Sequence, residues 1–169
     1  KIADVERAAL ASIYNTLRWV QELMNYWSEE TPTSLQSGGL GVRDLKKASE
    51  HLGVDEVCAA FIAELAYLAG IVNVEADGRI LPSTQFDLWQ NKEPEDQWRD
   101  LVSLWRVTSR VPGLIGRSDS RNITALSTEL DRSNAALIRR LVLDLLLENP
   151  SIAPTVKSAQ KAVLWRYPH

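Results

Sequence analysis

The chain has 169 residues, 45% of them hydrophobic and 24% charged, and a formal net charge of -3 at pH 7. This ordinary globular composition excludes a disordered or collagen-like chain, and the single cysteine excludes an internal disulfide. We expect a cytoplasmic protein, because no apolar run reaches the roughly 18 residues of a membrane span and a lone cysteine suits a reducing compartment.

Residues 3–27 predict a first, long helix. Apolar residues recur there at steps of three and four, the spacing of one helix face. They are Leu10, Ile13, Tyr14, Leu17, Val20, Met24 and Trp27. Pro32 predicts the end of the helix, since proline disfavours helical conformation in the residue before it. Trp19 falls off the stripe and predicts a second contact face.

Two shorter helices are predicted over residues 42–52 and 55–69, separated by a tight turn. Gly53 suits the left-handed conformation that often ends a helix. Asp55 follows it and can cap the next helix by accepting hydrogen bonds from free backbone amides. In this interpretation Val42 and Val57 face inward.

A β-hairpin follows these helices. Residues 71–75 are β-rich, Asp77-Gly78 is typical of a hairpin turn, and residues 79–81 return as the partner strand before Pro82 ends it. Helix, tight turn, helix and hairpin is the element order of a winged helix-turn-helix. We therefore predict a mainly α fold, namely a winged helix-turn-helix with a small β-hairpin wing plus additional packing helices.

The second half predicts further helices. One begins near Thr84, two span residues 95–110 and 133–148, and a last one starts at Thr155, while residues 111–122 form a loop. Net charge is -6 over residues 1–90 and +3 over residues 91–169. We predict an N-terminal helix (1–34), a winged-helix unit (35–91) and a helical extension (92–169). The last two helices are candidates for the start of a second helix-turn-helix.

Several short motifs, in order, resemble a known family. They are GLGVRDL (39–45), LGV (52–54), ELAYLAGI (64–71), ILP (80–82), FDLW (86–89), the 98–105 stretch, RRLVL (139–143) and LWRYP (164–168). Together they resemble the winged-helix part of a bacterial helicase-associated protein family, whose full protein carries a region similar to the C-terminal domain of XPB-type helicases. The resemblance covers residues 35–168 and implies a DNA-related role. Because the chain starts at Lys1 and ends in a helix-like stretch, we expect it to be a fragment that contacts the remainder of the same polypeptide.

Nucleic-acid binding is the main functional question. The second helix of a helix-turn-helix normally enters the major groove, but residues 55–69 carry no Arg, Lys, Asn or Gln and present Asp55, Glu56 and Glu64. Base readout by this helix is therefore disfavoured. The candidate nucleic-acid-binding residues lie elsewhere: Arg43, Lys46 and Lys47 on the preceding helix, Arg79 on the wing, and Arg99, Arg106, Arg110, Arg117 and Arg121 in the second half.

Spacing suggests how the second set is arranged. Arg99, Arg106 and Arg110 step by seven and four, which predicts one shared helix face. Backbone attachment to DNA is one interpretation of both sets, and solvated charge with internal salt bridges is the alternative. The six tryptophans are interpreted as packing residues rather than base-stacking platforms.

Catalytic and metal-binding motifs are weak. The glycine-rich segment 37–41 lacks the lysine of a phosphate-binding loop. His51 is predicted to be a surface histidine, and Cys58 a small buried residue. The carboxylates Glu93, Glu95 and Asp96 are predicted to stabilise a helix start rather than hold a metal. We therefore expect no enzyme activity, no cofactor and no metal.

Two functions remain open at this point. The first is a non-catalytic winged-helix module of a larger DNA-transaction protein, which binds nucleic-acid backbone at low affinity without base-specific readout. The alternative is a winged-helix protein–protein interaction module with no DNA contact, whose partner is another protein or a second copy of this chain. A membrane is not an expected partner. Fold alone does not choose between these functions.

Overall fold

The computed structural model of the chain describes residues 2–116, 122–148, 150 and 153–167. Over these residues the protein is mainly helical, with one small antiparallel sheet of two strands. This confirms the predicted mainly α fold with a small β-hairpin. The elements are α1 (Ile2–Glu29), α2 (Val42–Leu52), α3 (Glu56–Leu68), β1 (Val72–Val74), β2 (Ile80–Pro82), α4 (Thr84–Gln90), α5 (Pro94–Val107), α6 (Ala135–Glu148) and α7 (Val156–Arg166). Short 3-10 turns span Pro112–Leu114 and Thr128–Leu130.

Helix α1 is buried at one end and exposed at the other. Its 28 residues would extend about 42 Å, farther than the elements that pack against it. Leu23 and Trp27 lie in the core, whereas Leu10 and Tyr14, predicted to face inward, are each 56% exposed. Trp19 also packs against the core, so the second contact face predicted for α1 exists.

Helices α2 and α3 begin and end at the predicted signals. Gly53 ends α2 with φ at 65°, and the Asp55 carboxylate accepts a hydrogen bond of 2.7 Å from the Cys58 amide at the start of α3. Helix α3 is the centre of the fold, with α1, α2, α5 and β1 packed around it. The inward positions predicted for Val42 and Val57 are wrong, because both side chains lie at helix starts that nothing covers and are exposed.

Strands β1 and β2 form the predicted hairpin. Val72 pairs with Pro82 and Val74 with Ile80, and Gly78 takes a positive φ of 86° in the turn. The linker after α1 runs beside this hairpin, since the Ile80 amide donates to the Pro32 carbonyl at 2.9 Å. The hairpin is therefore attached to the end of α1 as well as to α3.

Helix α5 ends earlier than the sequence predicted. It stops at Val107, and Thr108 already has an extended backbone (φ -68°, ψ 145°). The segment 122–131 then returns to the core, where Ala125 and Leu130 are buried. Its Ala125 carbonyl accepts a hydrogen bond of 2.7 Å from the Leu40 amide, which joins it to the entry of α2.

Helices α1 through α5, the hairpin and this returning segment share one hydrophobic core. We call the part of the chain from residue 2 to residue 131 the body. Helices α6 and α7, which we call the C-terminal helix pair, are packed differently. In α6 only Ala135 is buried, and none of the described residues of α7 is buried. Among the body elements, α6 contacts chiefly α5.

Candidate functional site

The predicted recognition helix is not available to a nucleic-acid groove. Seven of its residues are buried: Ala59, Ala60, Ile62, Ala63, Glu64, Leu65 and Ala66. A helix that enters the major groove must present a free face, and α3 is enclosed on most sides by other helices. The sequence interpretation of Glu64 as a carboxylate that would repel phosphates is also wrong, because the side chain is fully buried.

Glu64 instead forms a buried ion pair with Arg110. Arg110 Nε donates to Glu64 Oε2 at 2.5 Å and Arg110 Nη2 donates to Oε1 at 3.0 Å. The same Nη2 donates to the Ser127 carbonyl at 2.9 Å, and Glu64 Oε1 accepts from the Leu126 amide at 2.5 Å. Burial alone would lower the pKa of Arg110, but the hydrogen bonds and charge of Glu64 outweigh it, and the pKa lies above its ordinary value.

Arg110 is therefore not part of a nucleic-acid surface, and its predicted role is wrong. The seven-and-four spacing assumed that α5 continues to residue 110, whereas the helix ends at Val107 and the chain turns Arg110 inward. Its guanidinium also lies 5.1 Å from the centre of the Tyr67 ring. The pair holds the returning segment 122–131 against α3.

The six other predicted cations in the described residues are exposed, and carboxylates accompany three of them. Arg79 Nε lies 2.7 Å from Asp77 Oδ2, Arg99 pairs with Asp96, and Lys46 lies 3.9 Å from Glu50. The backbone amide of Arg79, followed by its guanidinium, holds the pKa of Asp77 below its usual range, so this carboxylate stays charged at neutral pH.

Arg43, Lys47 and Arg106 are exposed, and no described carboxylate lies within salt-bridge distance of them. Arg43 and Lys47 lie on α2, whereas Arg106 lies on α5. The predicted residues Arg117 and Arg121 fall outside the described residues. Apart from Arg110, the described members of the predicted set thus lie on three elements, namely α2, the hairpin and α5.

Arg139 makes a structural contact that the sequence interpretation missed. It extends from α6 to the end of α5, where Nη1 donates to the Thr108 carbonyl at 2.9 Å and Nη2 to the Arg110 carbonyl at 3.1 Å. Its guanidinium lies 5.0 Å from the centre of the Trp105 ring, and partial burial lowers its pKa. Cations are favoured at helix C-termini, so this contact attaches the C-terminal helix pair to the body.

An apolar groove lies between α6 and α7, with a volume of about 1020 Å³. On α6 it is lined by Leu137, Ile138, Leu141 and Val142, and on α7 by Val156, Val163 and Leu164 among others. Leu137 is 56% exposed, Leu164 64% and Val156 76%. Exposed apolar surfaces that are rimmed by polar residues often mark binding sites in soluble proteins. We call it the α6/α7 groove.

A smaller apolar groove of about 390 Å³ lies between the exposed end of α1 and the start of α5. Leu10, Ile13 and Tyr14 line one side, and Trp98 and Val102 the other. This is the region in which the predicted apolar stripe of α1 leaves the core. It is a second exposed apolar surface, formed by α1 and α5 rather than by α6 and α7.

The residues considered for catalysis are arranged as structural side chains. His51 is exposed, as predicted, and stacks on Tyr26 with ring centres 4.2 Å apart. Cys58 is half-buried; burial, and to a lesser extent Asp55, raises the pKa of its thiol, which lowers its thiolate fraction at neutral pH. Within the described ranges no group of three His, Cys, Asp or Glu side chains is placed to hold a metal ion.

Glu93 occupies the N-cap position of α5 without a side-chain capping hydrogen bond, and Glu95 and Asp96 lie in the first turn. Asp96 pairs with Arg99 and Asp100 accepts a hydrogen bond of 2.6 Å from Lys92.

The described part of the chain contains no helix long and apolar enough to cross a membrane. Comparison with protein-family models, with curated proteins and with solved structures finds no match to this chain.

Proposed function

We propose that this chain is a non-catalytic protein-interaction module whose docking surface is the α6/α7 groove. The observation that carries the proposal is the contrast in burial between the body and this groove. The body buries many large apolar side chains, such as Leu23 and Trp27, in one core. No large apolar side chain of α6 or α7 is buried in the described residues, and Leu137, Val156 and Leu164 are exposed to solvent along one concavity. A concave apolar surface between helices is the geometry that accepts an amphipathic helix.

The winged-helix interpretation of residues 35–91 belongs to this proposal. The order α2, α3, β1 and β2, with a tight turn at Gly53, supports it. In the proposed role the unit is a scaffold, because α3 is occupied by its contacts with the rest of the body. The relation to the helicase-associated family stays a prediction.

Binding of DNA backbone is the second candidate function, and one observation favours it. Arg43, Lys46 and Lys47 are exposed on a single helix, α2. Three cations give weak and strongly salt-dependent attachment. Reversing all three to glutamate should abolish any binding of a duplex at low salt, whereas Arg99→Glu, at a cation already paired with Asp96, should change it little.

A peptide titration tests the proposed function directly. The probe is a designed 16-residue amphipathic helix with leucines on one face and glutamines on both flanks, labelled for fluorescence anisotropy. We expect it to bind roughly tenfold tighter, about 1.4 kcal/mol, than a peptide of the same composition in scrambled order. Leu137→Asp, in the groove, should abolish the difference.

Leu88→Asp is the matched control, because Leu88 is a comparably exposed leucine (64%) on α4, away from the groove. It should leave binding unchanged. Equal binding of the ordered and scrambled peptides, or equal loss in the two variants, would contradict the proposed function.

A further inference from the structure

We propose that the occupant of the α6/α7 groove is an acidic amphipathic α-helix of another protein. The inference rests on the proposed function and names the partner's chemistry. Three observations carry it: the concave shape of the groove, the positive charge of the helix pair, and the position of two lysines beside a groove-lining leucine.

The C-terminal helix pair is basic. Residues 134–148 and 153–167 contain the five cations Arg139, Arg140, Lys157, Lys161 and Arg166, and the two carboxylates Asp144 and Glu148, a net charge of +3. Both carboxylates are already paired, Asp144 with Arg140 at 3.6 Å and Glu148 with Arg166 at 2.5 Å. Arg139 is directed into the junction with α5. The remaining charge is carried by the lysines.

Lys157 and Lys161 form a positive rim on α7. Both are exposed, and among the described residues no carboxylate lies within salt-bridge distance of either. They are one helical turn apart, and Leu164 follows them at steps of seven and three, so all three lie on the same side of α7. Leu164 lines the groove, and the two lysines lie next to it on α7, at the edge of the groove and outside its lining.

This rim selects the sign of the partner's charge. A helix whose apolar face fills the groove brings its flanking side chains next to Lys157 and Lys161. Carboxylates at those flanks gain attraction and cations suffer repulsion, and such complementarity chooses partners more than it adds raw affinity. A second copy of the helix pair also carries +3, so its charge opposes self-docking through this face.

The shape distinguishes a helix from a lipid surface. Basic helices that lie on anionic membranes present a protruding apolar face to the acyl region. Here the apolar side chains line a recess of about 1020 Å³ between two helices, which a single third helix can fill and a flat bilayer cannot. The observations therefore favour a protein helix over a membrane.

Three peptides that share one leucine face and differ only at the flanks test the proposal. One carries glutamates, one glutamines and one lysines, and all are titrated by fluorescence anisotropy against the whole chain. We expect the glutamate peptide to bind about tenfold tighter than the lysine peptide at low salt, and the difference to shrink as ionic strength rises. The double variant Lys157→Glu/Lys161→Glu should reverse the order.

Lys46→Glu/Lys47→Glu on α2 is the matched control, since it makes the same change of charge far from the groove, and it should leave the order unchanged. If all three peptides bind equally, or the lysine peptide binds best, the inference is overturned while the proposed function stands. If none binds, both fail.

Two further measurements identify the competing occupants. Dimerisation in sedimentation velocity that Leu137→Asp abolishes would assign the groove to a second copy and overturn the inference. Binding to phosphatidylserine vesicles, lost in Lys157→Glu/Lys161→Glu, together with no preference among the peptides, would assign it to an anionic membrane and also overturn it.

Discussion

Helices α3 and α6 show how differently this chain treats two mainly apolar helices of similar length. Seven of the 13 residues of α3 are buried, whereas Ala135 is the only buried residue among the 14 of α6, and Leu147 in α6 is 77% exposed. Helix α3 has neighbours on nearly every side, and α6 contacts chiefly α5 and α7. Apolar content alone therefore does not decide burial, because the number of elements that pack around a helix also matters.

The same contrast holds for charge. In the body, the buried Arg110 guanidinium contacts the Glu64 carboxylate, the Ser127 carbonyl and the Asp131 carboxylate. In the C-terminal helix pair, Lys157 and Lys161 are left exposed beside an open apolar groove. The body also has exposed cations without a described carboxylate partner, such as Arg43 and Arg106, but these do not line the α6/α7 groove.

We expect the largest loss of stability when the buried ion pair of the body is removed. Arg110→Ala leaves the Glu64 carboxylate buried without its counter-charge, and loss of one partner of such a pair costs about 3–5 kcal/mol. Urea unfolding should record this loss. Arg106→Ala, an exposed arginine on α5, is the control and should stay within about 0.5 kcal/mol of the parent chain. Equal stability of the two variants would contradict the structural role given to Arg110.

The next effect compares leucines in the two regions. Leu23→Ala opens a cavity in the core and should lower the free energy of unfolding by about 2–5 kcal/mol. Leu147→Ala, at a residue 77% exposed on α6, should change it by less than about 0.5 kcal/mol. A large loss for Leu147→Ala in the monomeric chain would show that the C-terminal helix pair is packed as tightly as the body.

A third comparison measures the stability cost of a Cβ at two neighbouring glycines, one of which lies against the returning segment 122–131. Gly38 and Gly39 have φ of 86° and 82°, but a Cβ at Gly38 meets nothing within 4 Å, whereas one at Gly39 would lie 2.7 Å from the Ala125 carbonyl oxygen. Gly38→Ala should cost about 1 kcal/mol from its backbone conformation alone. Gly39→Ala should cost about 1–3 kcal/mol, because the clash adds to it. Thermal unfolding measures both, and a larger loss at Gly38 would contradict the contact.

The smallest expected effect concerns pH and the helix pair. The hydrogen bond from Arg166 holds the pKa of Glu148 below its usual range. A carboxyl with a lowered folded pKa stabilises the fold above its unfolded pKa, and this contribution is lost as pH falls through the folded value. Hydrogen exchange in α7, corrected for the intrinsic rate, should therefore rise below about pH 4. Glu148→Gln should remove this dependence.

Asp144→Asn provides the control for that pH experiment. Asp144 pairs with Arg140 within α6 and does not join the two helices, so its loss should leave α7 exchange unchanged. An identical response of the two variants would mean that the pair between Glu148 and Arg166 does not hold α7 to α6.

Much of the fold could be predicted from local signals. Gly53, Asp55 and the Asp77-Gly78 turn act within a few residues of themselves, and the elements begin and end where they indicated. Inward faces were predicted less well, since Leu10 and Val57 have helical spacing but no neighbouring element to cover them. Burial depends on contacts that are distant in the chain.

The candidate site was harder to predict for the same reason. Glu64 and Arg110 are 46 residues apart, and Arg139 reaches the α5 terminus from 31 residues away. No local pattern identifies both members of such a pair. The position of Glu64 among alanines on an apolar helix indicated only that it needs a buried partner. The exposed apolar face of α6 and α7 was likewise read as packing surface, because periodicity identifies an apolar face without saying what covers it.

Hydrogen exchange of the whole chain, with and without the glutamate-flanked peptide, tests the central claim most directly. We expect α6 and α7 to exchange faster than α3 in the free chain, and we expect the peptide to slow exchange in α6 and α7 while exchange in α2 and α3 stays unchanged. Protection that appears in α2 or α3 instead, or in no element at saturating peptide, would contradict the claim that the α6/α7 groove is the docking surface.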